Sequence, residues 1–335
     1  MPASIAVRSA AWYMPDSVMA VSRLPELDSM PEPERETCLR LGIEQIRAEG
    51  GLSELDLMAR AARRALTDAD LEPGDLGALV VVESRAPETL MSSEATRLQA
   101  VLGARNAVTF SVGGLGCVSI TPALLAARGL LAADEELEYV LVAHGSKPIT
   151  PGRYRHPVTV SGDSGQALVL SRHGRVRVVD ILQESNGDYW DLFRVDYREQ
   201  PPGQWREECA DTHAYSFSLA LETRSRLREL NRRLLERNAI KPTDISGYFS
   251  QNLSLGSFRF SEESLGISID PACFDNLRRY GHLGPNDTLL NLYTAIERGD
   301  LAGGQRAILL NVSPVAAWSA LLVESDGGDG DVHHL

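Results

Sequence analysis

One thiol, one imidazole and one carboxylate stand where local chain signals could turn them to chemistry. Cys117 follows the run Val108-Thr-Phe-Ser-Val-Gly-Gly-Leu-Gly116 and opens an apolar stretch that continues to Ala127. This reads as a short β-branched strand, a turn in which Gly113, Gly114 and Gly116 supply positive φ, and a helix starting at Cys117. A thiol at a helix start meets unpaired backbone N–H groups and the positive end of the helix dipole, which favours its thiolate as a nucleophile. The ordinary alternative is a small buried hydrophobe, the usual fate of a free cysteine. Far along the chain, Tyr280-Gly-His-Leu-Gly-Pro-Asn-Asp287 holds a histidine and an aspartate five residues apart across a Gly-Pro turn. That spacing lets a carboxylate at a helix start reach back to the imidazole Nδ1–H. With Cys117 the three would form a nucleophile, a base and its orienting group. By themselves, His282 also fits a satisfied buried histidine and Asp287 a plain N-cap ahead of Thr288.

What could bring 117 and 282 together is a duplicated chain. Strand signals at Ser4–Tyr13, Leu76–Glu83, Val108–Val112, Tyr139–His144 and Gln166–Ser171 alternate with helical ones from Ser53 to Asp68 and from Ser92 to Leu102. Ser53 with Asp56 is a near-match to a capping box. Such alternation predicts a mainly parallel sheet covered on both faces. The second half repeats the order: a helix over Leu289–Glu297, a strand at Arg306–Asn311, and a closing Ser319-Ala-Leu-Leu-Val323 that echoes Gln166-Ala-Leu-Val-Leu170. The division expected is residues 1–175 carrying Cys117 and 176–327 carrying His282 and Asp287. A loop-rich cap is expected at about 183–225 and a frayed polar tail at 328–335. In a two-fold arrangement the helix starts of the two halves meet at the centre.

The bulk of the chain narrows the partners. Its 335 residues are 43% hydrophobic and 24% charged with a net charge of −13, which suits a globular protein and speaks against nucleic acid or an anionic membrane as partner. No apolar run reads as a membrane span and the N-terminus lacks signal-peptide features, so a cytoplasmic location is expected. Four scattered cysteines, Cys38, Cys117, Cys209 and Cys273, suggest neither a disulfide framework nor a zinc site, and no metal is expected.

Several stretches together resemble ketoacyl-ACP synthase III-like members of the thiolase superfamily: Arg40-Leu-Gly-Ile43, Met91-Ser-Ser-Glu-Ala-Thr-Arg-Leu-Gln-Ala-Val-Leu-Gly103, the Cys117 helix, Ser161-Gly-Asp-Ser-Gly-Gln-Ala-Leu-Val169, Leu265-Gly266 and Tyr280-Gly281. The resemblance spans nearly the whole chain. It implies an α/β, five-layered αβαβα duplication, a homodimer, and Cys117 as acyl-accepting nucleophile. It implies an oxyanion hole from the backbone N–H groups of Cys117 and Ser313, Arg40 near a pantetheine entrance, and Met91 projecting toward the partner subunit's acyl pocket. The acyl donor implied is a CoA or phosphopantetheine thioester on an acyl-carrier protein, with no tightly bound cofactor.

Departures from the condensing pattern redirect the chemistry. Gln251, in Ser250-Gln-Asn-Leu-Ser254, stands where the family has histidine, and His282 stands where it has asparagine. The condensing pair stabilises an enolate, whereas one histidine with an aspartate suits deprotonation of a hydroxyl. The pattern Gly-His-Leu-Gly-x-x-Asp resembles the ester-forming acyltransferase branch of antibiotic and polyketide biosynthesis, the cervimycin malonyltransferase type. That branch acylates a sugar hydroxyl or a carrier thiol. The Gly-rich run near the C-terminus is altered to Asn311-Val-Ser-Pro-Val-Ala-Ala-Trp318. The alternatives are a priming condensing enzyme that decarboxylates malonyl-carrier protein, a catalytically silent scaffold, and a nucleotide-binding protein. The last is disfavoured because Gly113-Gly-Leu-Gly116 lacks the GxGxxG spacing.

Overall fold

The computed structural model describes residues 5–83, 89, 91–195 and 197–326. Nine strands form the principal sheet: β1 (Ile5–Tyr13), β2 (Ala78–Val82), β3 (Val108–Val112), β4 (Val140–Ser146), β5 (Ser164–Ser171), β6 (Val176–Ser185), β7 (Ile245–Ser250), β8 (Arg306–Ser313) and β9 (Ala317–Ser325). Their order is β7-β8-β9-β6-β1-β5-β4-β2-β3. The pairs β2–β3, β2–β4 and β7–β8 are parallel and the other neighbours antiparallel. The sheet is therefore mixed, not mainly parallel. Part of the reason is local: β8 and β9, neighbours in the sheet, are joined by a turn too short for the crossover a parallel pair requires.

The two halves carry the same wiring. The half-sheet β1-β5-β4-β2 maps onto β6-β9-β8-β7 with matching pair directions, and β3 extends the first half alone. The strands that open each half, β1 and β6, pair antiparallel through Ile5↔Val178 and join the half-sheets. Helices, numbered with α1 at Glu32–Leu39, fill five layers. One outer layer is α2 (Glu54–Asp68) with α3 (Glu94–Leu102); the other contains α5 (Ala220–Arg237) and α6 (Leu255–Leu265). Between the half-sheets run α4 (Ile120–Ala133) and α8 (Asp287–Arg298), with α7 (Pro271–Tyr280) beside α8. Ser53 makes the reciprocal capping box with Asp56 at the start of α2, worth about 1 kcal/mol. α2 is amphipathic and buries Leu55, Met58, Ala62 and Leu66 against β1, β4 and β5. The 18 residues Gly116–Ala133 are long and apolar enough to cross a membrane by length and composition alone, but half of the segment is buried inside the fold. In the fold they form the approach to α4 and α4 itself, packed on β2 and β4. An almost wholly apolar helix is what a middle layer covered on both sides calls for.

The cap is narrower than expected. β6 continues to Ser185 and α5 begins at Ala220, so irregular chain occupies roughly 186–213. It includes a two-stranded ribbon, Phe193–Arg194 with Glu208–Cys209. The expected tail at 328–335 lies outside the described residues.

Candidate active site

Cys117 sits in a single 3₁₀ turn, Gly116–Ser119, that leads directly into α4. Gly114 (φ 86°) and Gly116 (φ 54°) take the left-handed backbone the turn requires. Gly113 does not, and a Cβ there would lie 2.9 Å from the Glu83 carboxylate, so its requirement is space. Within the turn, Leu115 N–H donates to Ser119 Oγ at 3.1 Å.

The matching turn in the second half, Gly284–Asn286, leads into α8 and packs against the Cys117 turn. His282 just before it is clamped by backbone: its N–H donates to Val160 C=O at 2.9 Å and its C=O accepts from Gly162 N–H at 3.0 Å. Gly281 makes this possible with φ 64° and ψ −149°, a region essentially reserved for glycine. A Cβ at that position would stand 2.7 Å from Val160 O.

The three groups fall on one line of hydrogen bonds. Cys117 Sγ lies 3.1 Å from His282 Nε2, and His282 Nδ1 lies 2.6 Å from Asp287 Oδ2. Asp287 is wholly buried; its Oδ2 also accepts from Asn252 N–H at 3.0 Å and its Oδ1 from Leu283 N–H at 2.8 Å. The cap position of α8 belongs to Asn286, so Asp287 is not a plain N-cap. Its carboxylate is fixed by two backbone donors and presents an oxygen to the imidazole. Burial works against charge on His282, but Cys117 and Asp287 on either side outweigh it and push its pKa up, to about 10. The arrangement therefore favours a thiolate–imidazolium pair. Burial, with a contribution from Glu26, pushes Cys38 up to about 12, and burial also raises Cys273 and Cys209.

A cavity of about 380 Å³ opens over Cys117 and His282. Its wall carries Glu54, Glu83, Lys147, Arg153, Arg155 and Glu207, with Ser119, Ser146 and Ser161 between them, and few apolar side chains. Arg155 Nε meets Glu207 Oε2 at 2.7 Å, which ties the cap to the cavity wall.

The remaining expected site residues lie elsewhere. Gln251 is buried beneath the cavity; its Oε1 accepts from Val312 N–H at 2.8 Å, and the residue is not among those lining the cavity. Its side-chain carbonyl bridges the end of β7 to β8. Arg40 caps α1 on the surface and pairs with Glu36 at 2.9 Å, away from the cavity lining. Met91 is fully exposed with φ 65°. Ser313 ends β8, its Oγ accepting from Val315 N–H at 3.4 Å, and Val315 lines the cavity. Sequence reasoning missed His144, Arg155 and Glu207 as cavity residues. His144 lies two residues before the end of β4, where a polar residue after an apolar run was the only available signal.

Residues 235–325 match the family model described as 3-oxoacyl-[acyl-carrier-protein (ACP)] synthase III C terminal. Over its length the chain is similar to the β-ketoacyl-[acyl-carrier-protein] synthase III of Rhodobacter capsulatus, 27% identical over 327 residues, covering 95% of this chain and 98% of the relative. The enzyme of the same name from Campylobacter jejuni (strain RM1221) is 23% identical over 324 residues, covering 96% and 98%. Among solved structures, the acyltransferase ChlB3 superposes with a TM-score of 0.82 at 20% identity, covering 96% of this chain and 98% of that one. OleA of Xanthomonas campestris superposes with a TM-score of 0.79 at 19% identity, covering 97% and 99%. The chain is thus similar along nearly its whole length to ketoacyl-ACP synthase III proteins and shares their fold, with the family match itself confined to residues 235–325.

Proposed function

We propose that this protein is an acyltransferase that loads an acyl group from a CoA or carrier-protein thioester onto Cys117 and passes it to a hydroxyl, without decarboxylative condensation. The observation that carries the reading is the unbroken Cys117–His282–Asp287 line, with Gln251 turned to the backbone behind the cavity. An enolate-stabilising pair needs a second donor beside the imidazole, and Gln251 is not among the residues lining the cavity. The ionisable and hydroxyl side chains in the cavity wall offer hydrogen-bond partners to a small or charged acyl group and to a hydroxylated acceptor. A sugar of a polyketide or related antibiotic is the acceptor class this favours, with a carrier thiol as the variant acceptor.

The Cys117 thiolate attacks the thioester carbonyl, and the developing oxyanion is assigned to the backbone N–H groups of Cys117 and Ser313. The donor thiolate leaves and takes the proton from His282 Nε2. The neutral imidazole then accepts the proton of the incoming hydroxyl as its oxygen attacks the acyl-cysteine carbonyl. Cys117 departs as thiolate and pairs again with the imidazolium, while Asp287 holds Nδ1–H throughout.

Isotope-labelled malonyl-CoA, offered with carrier protein and with deoxysugar-bearing acceptors, tests the reading. Intact malonyl ester without labelled CO₂ is the expected outcome. Labelled CO₂ with a ketoacyl-carrier product would instead establish a priming condensing enzyme, the activity named in the relatives from Rhodobacter and Campylobacter.

A further inference from the structure

A second buried imidazole stands in the cavity wall and takes no part in the steps above. His144 is 6% exposed, two residues before the end of β4. Its Nδ1 lies 2.8 Å from Val82 C=O, and a carbonyl can only accept, so Nδ1 carries the hydrogen. Nε2 is then a lone-pair acceptor. Burial holds this histidine down, to about 4, against the carbonyl bond that favours charge and with nearby His282 adding to the effect. The ring is neutral across the physiological range and cannot become a donor at Nε2. That nitrogen looks toward Gly284, two residues beyond His282: a Cβ there would sit 3.8 Å from His144 Nε2 and 3.9 Å from Ser146 Oγ. Gly284, His144 and Ser146 all line the cavity, so the glycine leaves room for a ligand group at that spot.

We propose that His144 Nε2 accepts a hydrogen bond from a second hydroxyl of the acceptor, making the site selective for 1,2-diols of the kind sugars carry over simple alcohols. The inference rests on the acyl-transfer reading. His282 Nε2 receives the proton of the reacting hydroxyl while its neighbour donates to His144. A thiol or mono-alcohol leaves that acceptor unused, and leaving a buried polar atom unpaired is what gives hydrogen-bonding sites their selectivity.

The test loads the full-length protein from malonyl-CoA or acetyl-CoA and follows loss of the acyl mass with 1,2-propanediol and with 1-propanol. Wild type should discharge about tenfold faster to the diol, the order expected for one well-made hydrogen bond. In His144→Phe the ratio of discharge rates to 1,2-propanediol and to 1-propanol, each measured from the same acylated protein, should fall to about one. An advantage that survives in His144→Phe overturns the assignment, as do equal wild-type rates for the two alcohols, a result that needs no variant to fold. Discharge to alcohols without diol preference overturns the His144 assignment alone. Failure of the wild type to acylate, or to transfer to any alcohol, overturns the acyl-transfer reading with it.

Discussion

At the scale of single residues, the four thiols are set apart by their neighbours. Cys117 faces an imidazole held by a carboxylate, whereas burial raises Cys38, Cys209 and Cys273. Alkylation should therefore fall on Cys117 first. Because the raised His282 keeps its proton as pH climbs, the pair supplies thiolate below the ordinary thiol range of about 8.5. The iodoacetamide rate should stay nearly flat between about pH 6 and 8 in wild type. In His282→Ala it should rise close to tenfold per pH unit over that window, as for an isolated thiol. A steep wild-type profile would mean that no ion pair forms. Cys117→Ala should abolish the acyl adduct seen by intact mass, and alanine at the other three cysteines should leave it. His282→Ala should slow acceptor-dependent turnover by about 10²–10⁴-fold. Asp287→Asn combined with it should cost little more than the worse single change, since the carboxylate acts through the imidazole. Fully additive losses would show that the two do not form a unit.

Two short turns at helix starts do the positioning at the scale of elements. The first follows β3 and the second follows α7; each leads into a middle-layer helix and depends on glycine for a backbone path that L side chains resist. Gly281→Ala tests this most directly. The new Cβ would press on Val160 O, and the forced conformation costs about 1–3 kcal/mol. A lowered melting temperature is expected together with loss of transfer activity larger than loss of folded protein, because His282 is displaced with its backbone. Full activity in a Gly281→Ala protein would show that the clamp on His282 is not needed. Ser53→Ala at the start of α2 is the contrasting control: it removes a capping bond, costs about 1 kcal/mol of stability and should lower kcat far less than Gly281→Ala.

For the molecule as a whole, the exposed margin on the β3 side bears on assembly. β3 lies at the end of the sheet with Val108 exposed, and Met91 projects fully into solvent on a left-handed backbone that non-glycine residues seldom adopt. An uncovered edge strand is a pairing surface. A homodimer formed across β3 would cover it and bring Met91 toward the neighbouring copy. Light scattering on the eluting protein should give twice the mass of one chain at micromolar concentration. A monomer there would remove Met91 from any role in the site.

The sequence by itself determined much of the element order, the reciprocal cap at Ser53 and the three residues Cys117, His282 and Asp287, because turns, caps and hydrophobic period are local properties of the chain. It also exposed the duplication, since β4 with β5 and β8 with β9 repeat one pattern of apolar residues. Strand direction was beyond it: parallel and antiparallel neighbours bury the same residue types, so the mixed sheet emerges only from pairing. Only tertiary structure decided that Gln251 serves Val312 instead of the cavity, that Asp287 draws on Asn252 and Leu283 instead of capping its own helix, and that His144 faces the site. Each of these depends on which backbone groups arrive from distant segments to claim a buried polar atom, and that competition is settled only when the two halves close on each other.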